Sequence, residues 1–165
     1  MPTADTHQAL ALLFSELVLG ATDHGNSFIL NSSDRGLLQS LDGLSSVEAS
    51  GSVSGGASVA AHASHLAYGL LLMNRWATDG GNPFADASWD DAWKISGVSE
   101  QTWAAIRDKL RTEADRWLTT LATPRDATSS ELHGMIASVA HVAYHFGAIR
   151  QIARSARGPK EGTFN

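Results

Sequence analysis

The chain has 165 residues, a formal net charge of −5, an apolar fraction of 43% and a charged fraction of 18%. That length fits one domain, and the composition excludes a disordered chain. The 12 Lys and Arg form no basic run, which excludes a duplex-binding stripe, and no apolar stretch reaches the roughly 20 residues that span a bilayer.

A domain of this size buries roughly two-thirds of the surface of its unfolded chain, so it needs no staple to fold. Any metal it binds would then serve function. The opening MPTADTHQAL has no basic region before its apolar run, unlike a signal peptide. There is no cysteine. Both features lead to the expectation of a cytoplasmic protein. They also confine metal ligands to His, Asp, Glu, main-chain oxygen or water.

Leu10, Leu13, Phe14 and Leu17 stand at helical spacing and predict a first helix. Gly20 offers it a stop. Residues 23–33 are polar and mixed, as in a loop. Leu37, Leu38, Leu41 and Leu44 predict a short helix after Asp34, and Ser45 with Glu48 has the spacing of a capping box. Residues 50–58 read SGSVSGGAS, a Gly/Ser linker without the Lys of a phosphate loop.

A second long helix is predicted from about Val59 to Trp76, ended by Asp79-Gly80-Gly81-Asn82-Pro83. A loop carrying Trp89 and Trp93 then runs to about Gly97. Ser99 is a good N-cap for a third helix with the stripe Trp103, Ile106, Leu110, Trp117, Leu118 and Leu121, and Pro124 lies past its end. Thr128 and Glu131 match a capping box for a fourth helix reaching about Ser155. Its apolar face includes Met135, Ile136, Val139, Val142, Phe146 and Ile149, and with so few charges it is expected to be buried on most sides. The tail RGPKEGTFN reads as frayed. Four long helices without strands predict an all-α four-helix bundle, one domain over 1–165, in which the long loops permit a crossover.

The sharpest chemical signal is His141-Val142-Ala143-Tyr144-His145. Residues i and i+4 share a helix face with Cβ atoms about 6 Å apart. Two imidazoles so placed can grip one divalent ion at about 2.1 Å each. Gly134, Ala137, Ser138 and Ala148 flank the stripe and leave space beside it. Two ordinary helix histidines explain the pair equally simply. A third ligand has to come from another helix, where His62 and His65 stand three apart.

The chain resembles the DinB/YfiT-like superfamily of metal-dependent enzymes. The resemblance is carried by Gly36-Leu37-Leu38 with Leu41-Asp42, by 58–66, by Leu72-Met73-Asn74-Arg75-Trp76 and by Trp89-Asp90-Asp91-Ala92-Trp93. The run 140–152, AHVAYHFGAIRQI, is its most specific part, and the likeness extends from about Leu10 to Ile152. It implies a four-helix bundle, often a homodimer, with a metal held by one histidine of the second helix and two of the fourth. His141 and His145 carry over directly. His65, before Leu66 and after Ser58, matches the register of the remaining ligand, with His62 as its rival one turn away; the one that is not a ligand would support the site or pack in the core.

The resemblance further implies a zinc or nickel cofactor and a small-molecule substrate. It implies a thiol S-transferase or hydrolase activity, in which the metal activates a low-molecular-weight thiol or water. The alternative is a non-catalytic dimeric bundle, serving a stress response or binding a ligand, with a vestigial or structural metal site. A maleylpyruvate isomerase-like role is a third option, by analogy alone.

Other residues have plainer readings beside functional ones. Tyr144 either donates to a bound ligand or packs between helices with its hydroxyl at an edge. Arg150 either steadies an anionic substrate or pairs with an acid. The tryptophans either line a pocket mouth or pack the long loop onto the bundle. Asp90 and Asp91 are candidate bases if that loop folds over the metal. His7, His24 and His133 lack partners at ligand spacing and are expected to be exposed.

Overall fold

The protein is described here by a computed structural model covering residues 4–21 and 27–158. Among the described residues, seven α-helices run in the order α1 (Ala4–Leu19), α2 (Leu37–Asp42), α3 (Ser46–Ala49), α4 (Val59–Asp79), α5 (Asp90–Trp93), α6 (Glu100–Ala122) and α7 (Ser129–Ile152), followed by a 3₁₀ turn at Arg154–Ala156. No strand occurs among the described residues; Gly20 and Arg35 make one isolated bridge. None of the described helices is long and apolar enough to cross a membrane.

The helix starts follow from side-chain oxygens that accept otherwise orphaned N–H groups. Ser58 accepts from Ala61, Ser99 from Thr102 and Thr128 from Glu131. The capping boxes at Ser45–Glu48 and Thr128–Glu131 are complete. Gly20, at φ 114°, ends α1 in a conformation that favours glycine. The Leu37 helix follows Asp34 as expected, with Gly36 at its N-cap and no side-chain cap bond. Asp34 is buried, with Arg150 Nη1 donating to its Oδ2 at 3.2 Å. The second long helix runs one turn beyond Trp76, to Asp79, because Gly80 and Gly81 are the first residues at positive φ.

The four long helices α1, α4, α6 and α7 pack around one core. Helices α6 and α7 each pack against both α1 and α4. Phe14, Leu17, Leu66, Trp103, Leu110, Trp117, Met135 and Ile149 are among the fully buried side chains. The two core indoles and the buried Asn74 amide are paired. Trp103 Nε1 donates to the Leu44 carbonyl at 2.8 Å, and Trp117 Nε1 donates to Ser138 Oγ at 2.8 Å. Asn74 Nδ2 donates to the Glu113 carboxylate at 2.7 Å.

Three expectations need correction. His7 is 1% exposed, with Nδ1 3.2 Å from the Leu121 carbonyl and Nε2 3.0 Å from that of Arg125. Its imidazole satisfies the end of α6, a contact 114 residues away that no local spacing signals. Helix α7 is not covered on most sides: Ile136 and Tyr144 lie on its exposed face. Tyr144 therefore does not pack between helices. His133 is exposed as expected, whereas His24 and residues 159–165 of the tail lie outside the described residues.

Candidate metal centre

Helix α4 presents His62 and His65, and α7 presents His141 and His145, where these two helices pack together. His65 and His145 are buried; His62 and His141 are partly buried. His141 Nε2 lies 3.1 Å from His65 Nε2 and 2.9 Å from His145 Nε2. One potential ligand atom from each of His65, His141 and His145 falls within 4.8 Å of the other two. His62 stands outside this trio. Its Nδ1 lies 2.8 Å from His145 Nδ1, the ring nitrogen on the far side from His141.

Burial holds all four imidazoles below their ordinary pKa. His65 is lowered to about 4, by burial first and then by the neighbouring His141 and His62. His145 is lowered to about 3, by burial and then by His141, His65 and His62. Neutral rings with free lone pairs at neutral pH are what a metal requires of histidine.

The donor set fits a divalent ion. Each neutral imidazole nitrogen is either one donor or one acceptor. His141 Nε2 has two imidazole nitrogens within hydrogen-bond distance, so the trio cannot be satisfied by hydrogen bonds among its own members. A shared cation satisfies all three lone pairs. Ligand nitrogens on a tetrahedral ion at about 2.0–2.1 Å stand about 3.3 Å apart. The observed 2.9 and 3.1 Å need open by only a few tenths of an ångström.

The surroundings are aromatic. Trp93 of α5 stacks on His65 with ring centroids 4.4 Å apart, and Trp89 lies 5.3 Å from the same ring. Trp93 also meets His62 edge-on at 5.5 Å. The Trp89–Trp93 segment thus packs on the bundle directly over the histidines. Ser58 Oγ holds it there by donating to the Ile95 carbonyl at 2.6 Å. His65 Nδ1 is buried and has no hydrogen-bond partner, so ring stacking orients this imidazole.

The remaining candidates are placed elsewhere. Asp91 is exposed and bound to Lys94 Nζ at 2.8 Å and to Ser88. Asp90 is exposed as well. Arg150 is 7% exposed, paired with Asp34 and the Arg35 carbonyl, and lies over the Phe146 ring at 4.2 Å. It takes the acid-pairing role and locks α7 to the 34–35 segment. Tyr144 is 71% exposed and touches His145 only ring edge to ring, at 4.9 Å. Sequence reasoning missed the His62–His145 contact and the stacking of Trp93 on His65. The i,i+3 spacing of His62 and His65 was the available signal for the first; the second joins segments far apart in the chain.

Comparison of the chain with protein-family models, with curated proteins and with solved structures finds no match.

Proposed function

We propose that the protein is a metal-dependent enzyme of the DinB/YfiT-like kind, holding one zinc or nickel ion through His65, His141 and His145. The carrying observation is the convergence of three neutral, largely buried imidazoles that cannot satisfy one another. A bound ion would supply Lewis-acid activation of a thiol or of water, bringing its pKa towards neutrality.

The chain's own residues prepare that chemistry. For His145 to present the Nε2 lone pair, its Nδ1 must carry the proton, and His62 Nδ1 at 2.8 Å is positioned to accept it. His62 thereby fixes the tautomer and ring angle of a ligand from outside the trio. Trp89 and Trp93 limit water on the His65 side. The chain has no cysteine, so thiol transfer would use an external low-molecular-weight thiol.

The test is metal content of protein purified without an affinity tag. Wild type is expected to carry about one ion per chain, and His141→Ala and His145→Ala close to none while remaining helical. Wild-type protein that takes up no zinc or nickel after incubation would falsify the assignment. Homodimer formation belongs to the same proposal. The exposed face of α7 carries Ile136 and Tyr144, and no Asp, Glu, Lys or Arg occurs between Leu132 and Ile149. Sedimentation equilibrium should give twice the chain mass, and Ile136→Glu should give the monomer; a wild-type monomer removes this part.

A further inference from the structure

A trench leads away from the histidines between α4 and α7. Its inner part, a cavity of about 240 Å³, is bounded by Gly69, Leu70 and Met73 of α4 and by Gly134, Ala137 and His141 of α7, with Phe84 above. An outer cavity of about 440 Å³ adjoins it, sharing Met73, Phe84 and Gly134, and continues past Trp76 to Asn82 and Ser130.

Two features shape this space. Gly69 lies one turn after His65, and even a Cβ there would sit 3.5 Å from His141 Cε1. The glycine leaves the flank of His141 open to the trench. At Gly134 a Cβ would come within 2.5 Å of the Trp76 ring, so that ring can approach α7 this closely only because the position is glycine. Phe84 meets Trp76 edge-on at 6.2 Å and stacks with Trp89 at 6.5 Å. Trp89 in turn contacts His65, so an aromatic row joins the outer trench to the histidine cluster.

The lining contains no Asp, Glu, Lys or Arg in either part. Its polar atoms are largely committed. Ser138 Oγ accepts from Trp117 and donates to the Met135 carbonyl, and Asn82 Oδ1 accepts from the Phe84 N–H. The one chemically available group on the inner wall is the His141 imidazole.

Resting on the metal-site assignment above, we propose that this trench is the substrate subsite, and that it takes an uncharged, apolar small molecule, aromatic or alkyl. The apolar body lies against Met73, Trp76 and Phe84, and its polar or electrophilic end is directed at the histidines. A dicarboxylate such as the maleylpyruvate class would have to leave a carboxylate among side chains that include no Lys or Arg, which is unfavourable. The subsite therefore separates this chain from isomerases of dianionic substrates.

The test uses two fluorescent probes that share one aromatic skeleton and differ by a sulfonate: N-phenyl-1-naphthylamine and 8-anilinonaphthalene-1-sulfonate. Both are titrated into metal-free, folded protein, so the outcome does not depend on the ion. The uncharged probe should bind saturably at one per chain. The sulfonate should bind about tenfold more weakly or worse, because its charge finds no partner in the lining. Ala137→Phe, which fills the inner trench, and Ser130→Trp, which closes the outer one, should each weaken the uncharged probe about tenfold. Circular dichroism checks that each variant folds, and if one does not, the other decides. Equal binding of the two probes, no saturable binding, or indifference to the folded variants overturns the subsite. Zinc uptake is measured separately on the same samples. Probe binding without zinc uptake sinks the metal assignment and leaves the trench; zinc uptake without probe binding does the reverse.

Discussion

In the proposed site, His62 is separated from the ligands by one ring nitrogen of His145. A single ion bound at His145 Nε2 cannot also reach His62, which faces His145 Nδ1. Losing a group that orients a ligand typically weakens metal affinity about 10–100-fold without removing the site. His62→Ala is therefore expected to keep about one zinc per chain at saturation but to bind it some 10–100-fold more weakly in competition with a chelator. His62→Gln, which can still accept from His145 through its amide oxygen, should recover part of the loss. If His62→Ala loses all zinc while His65→Ala retains it, the two residues have been assigned the wrong way round.

At the scale of elements, the site depends on how α4 begins. Ser58 accepts the Ala61 N–H at 3.1 Å and donates to the Ile95 carbonyl at 2.6 Å, so one hydroxyl starts the helix and anchors the loop bearing Trp93. Ser58→Ala should destabilise the protein by about 1 kcal/mol from the cap alone, lowering Tm by about 2–4 °C for a domain of this size. Its indole fluorescence should also become more accessible to acrylamide as the Trp89–Trp93 segment loosens. An unchanged Tm would show that Ser58 does not hold α4. Helix α7 shows the other element-level effect. It carries His141 and His145 on one face, but apolar side chains stand both on its buried face and, at Ile136 and Tyr144, on its exposed one, so periodicity alone does not show which face stays uncovered.

For the whole molecule, burying four neutral imidazoles makes stability depend on pH. The ordinary histidine value is 6.5, and in the folded protein His65 and His145 lie at about 4 and about 3. On lowering the pH below 6.5 the unfolded chain takes up protons that the folded chain refuses, so stability is full above that value and falls beneath it. Down to 4.5, the ordinary value for Glu, these histidines dominate; below it Glu131, held at about 2, adds to the loss. Metal-free protein should thus melt at a clearly lower temperature at pH 5 than at about pH 7.5. Replacing His65 and His145 together by Leu should shrink that difference. A Tm that does not change between the two conditions would mean that the imidazoles are hydrated rather than buried.

The sequence by itself determined the four long helices, because their signals are local, but not the short helix Asp90–Trp93, which lies in a segment read as loop. Ser58, Ser99 and Thr128 cap from within three residues, and stripes such as Trp103, Leu110, Trp117 and Leu121 repeat with the helical turn. The pairing of His141 with His145 is equally local, since both lie within about one turn of a single helix. What only the tertiary structure decided is every contact whose partner lies far along the chain. His7 against the end of α6, Arg150 against Asp34, Trp93 on His65 and His62 against His145 all join residues separated by 28 to 116 positions. No periodicity encodes such pairs. They depend on which helix faces meet when apolar surface is withdrawn from water, and that packing also opens the trench beside His141.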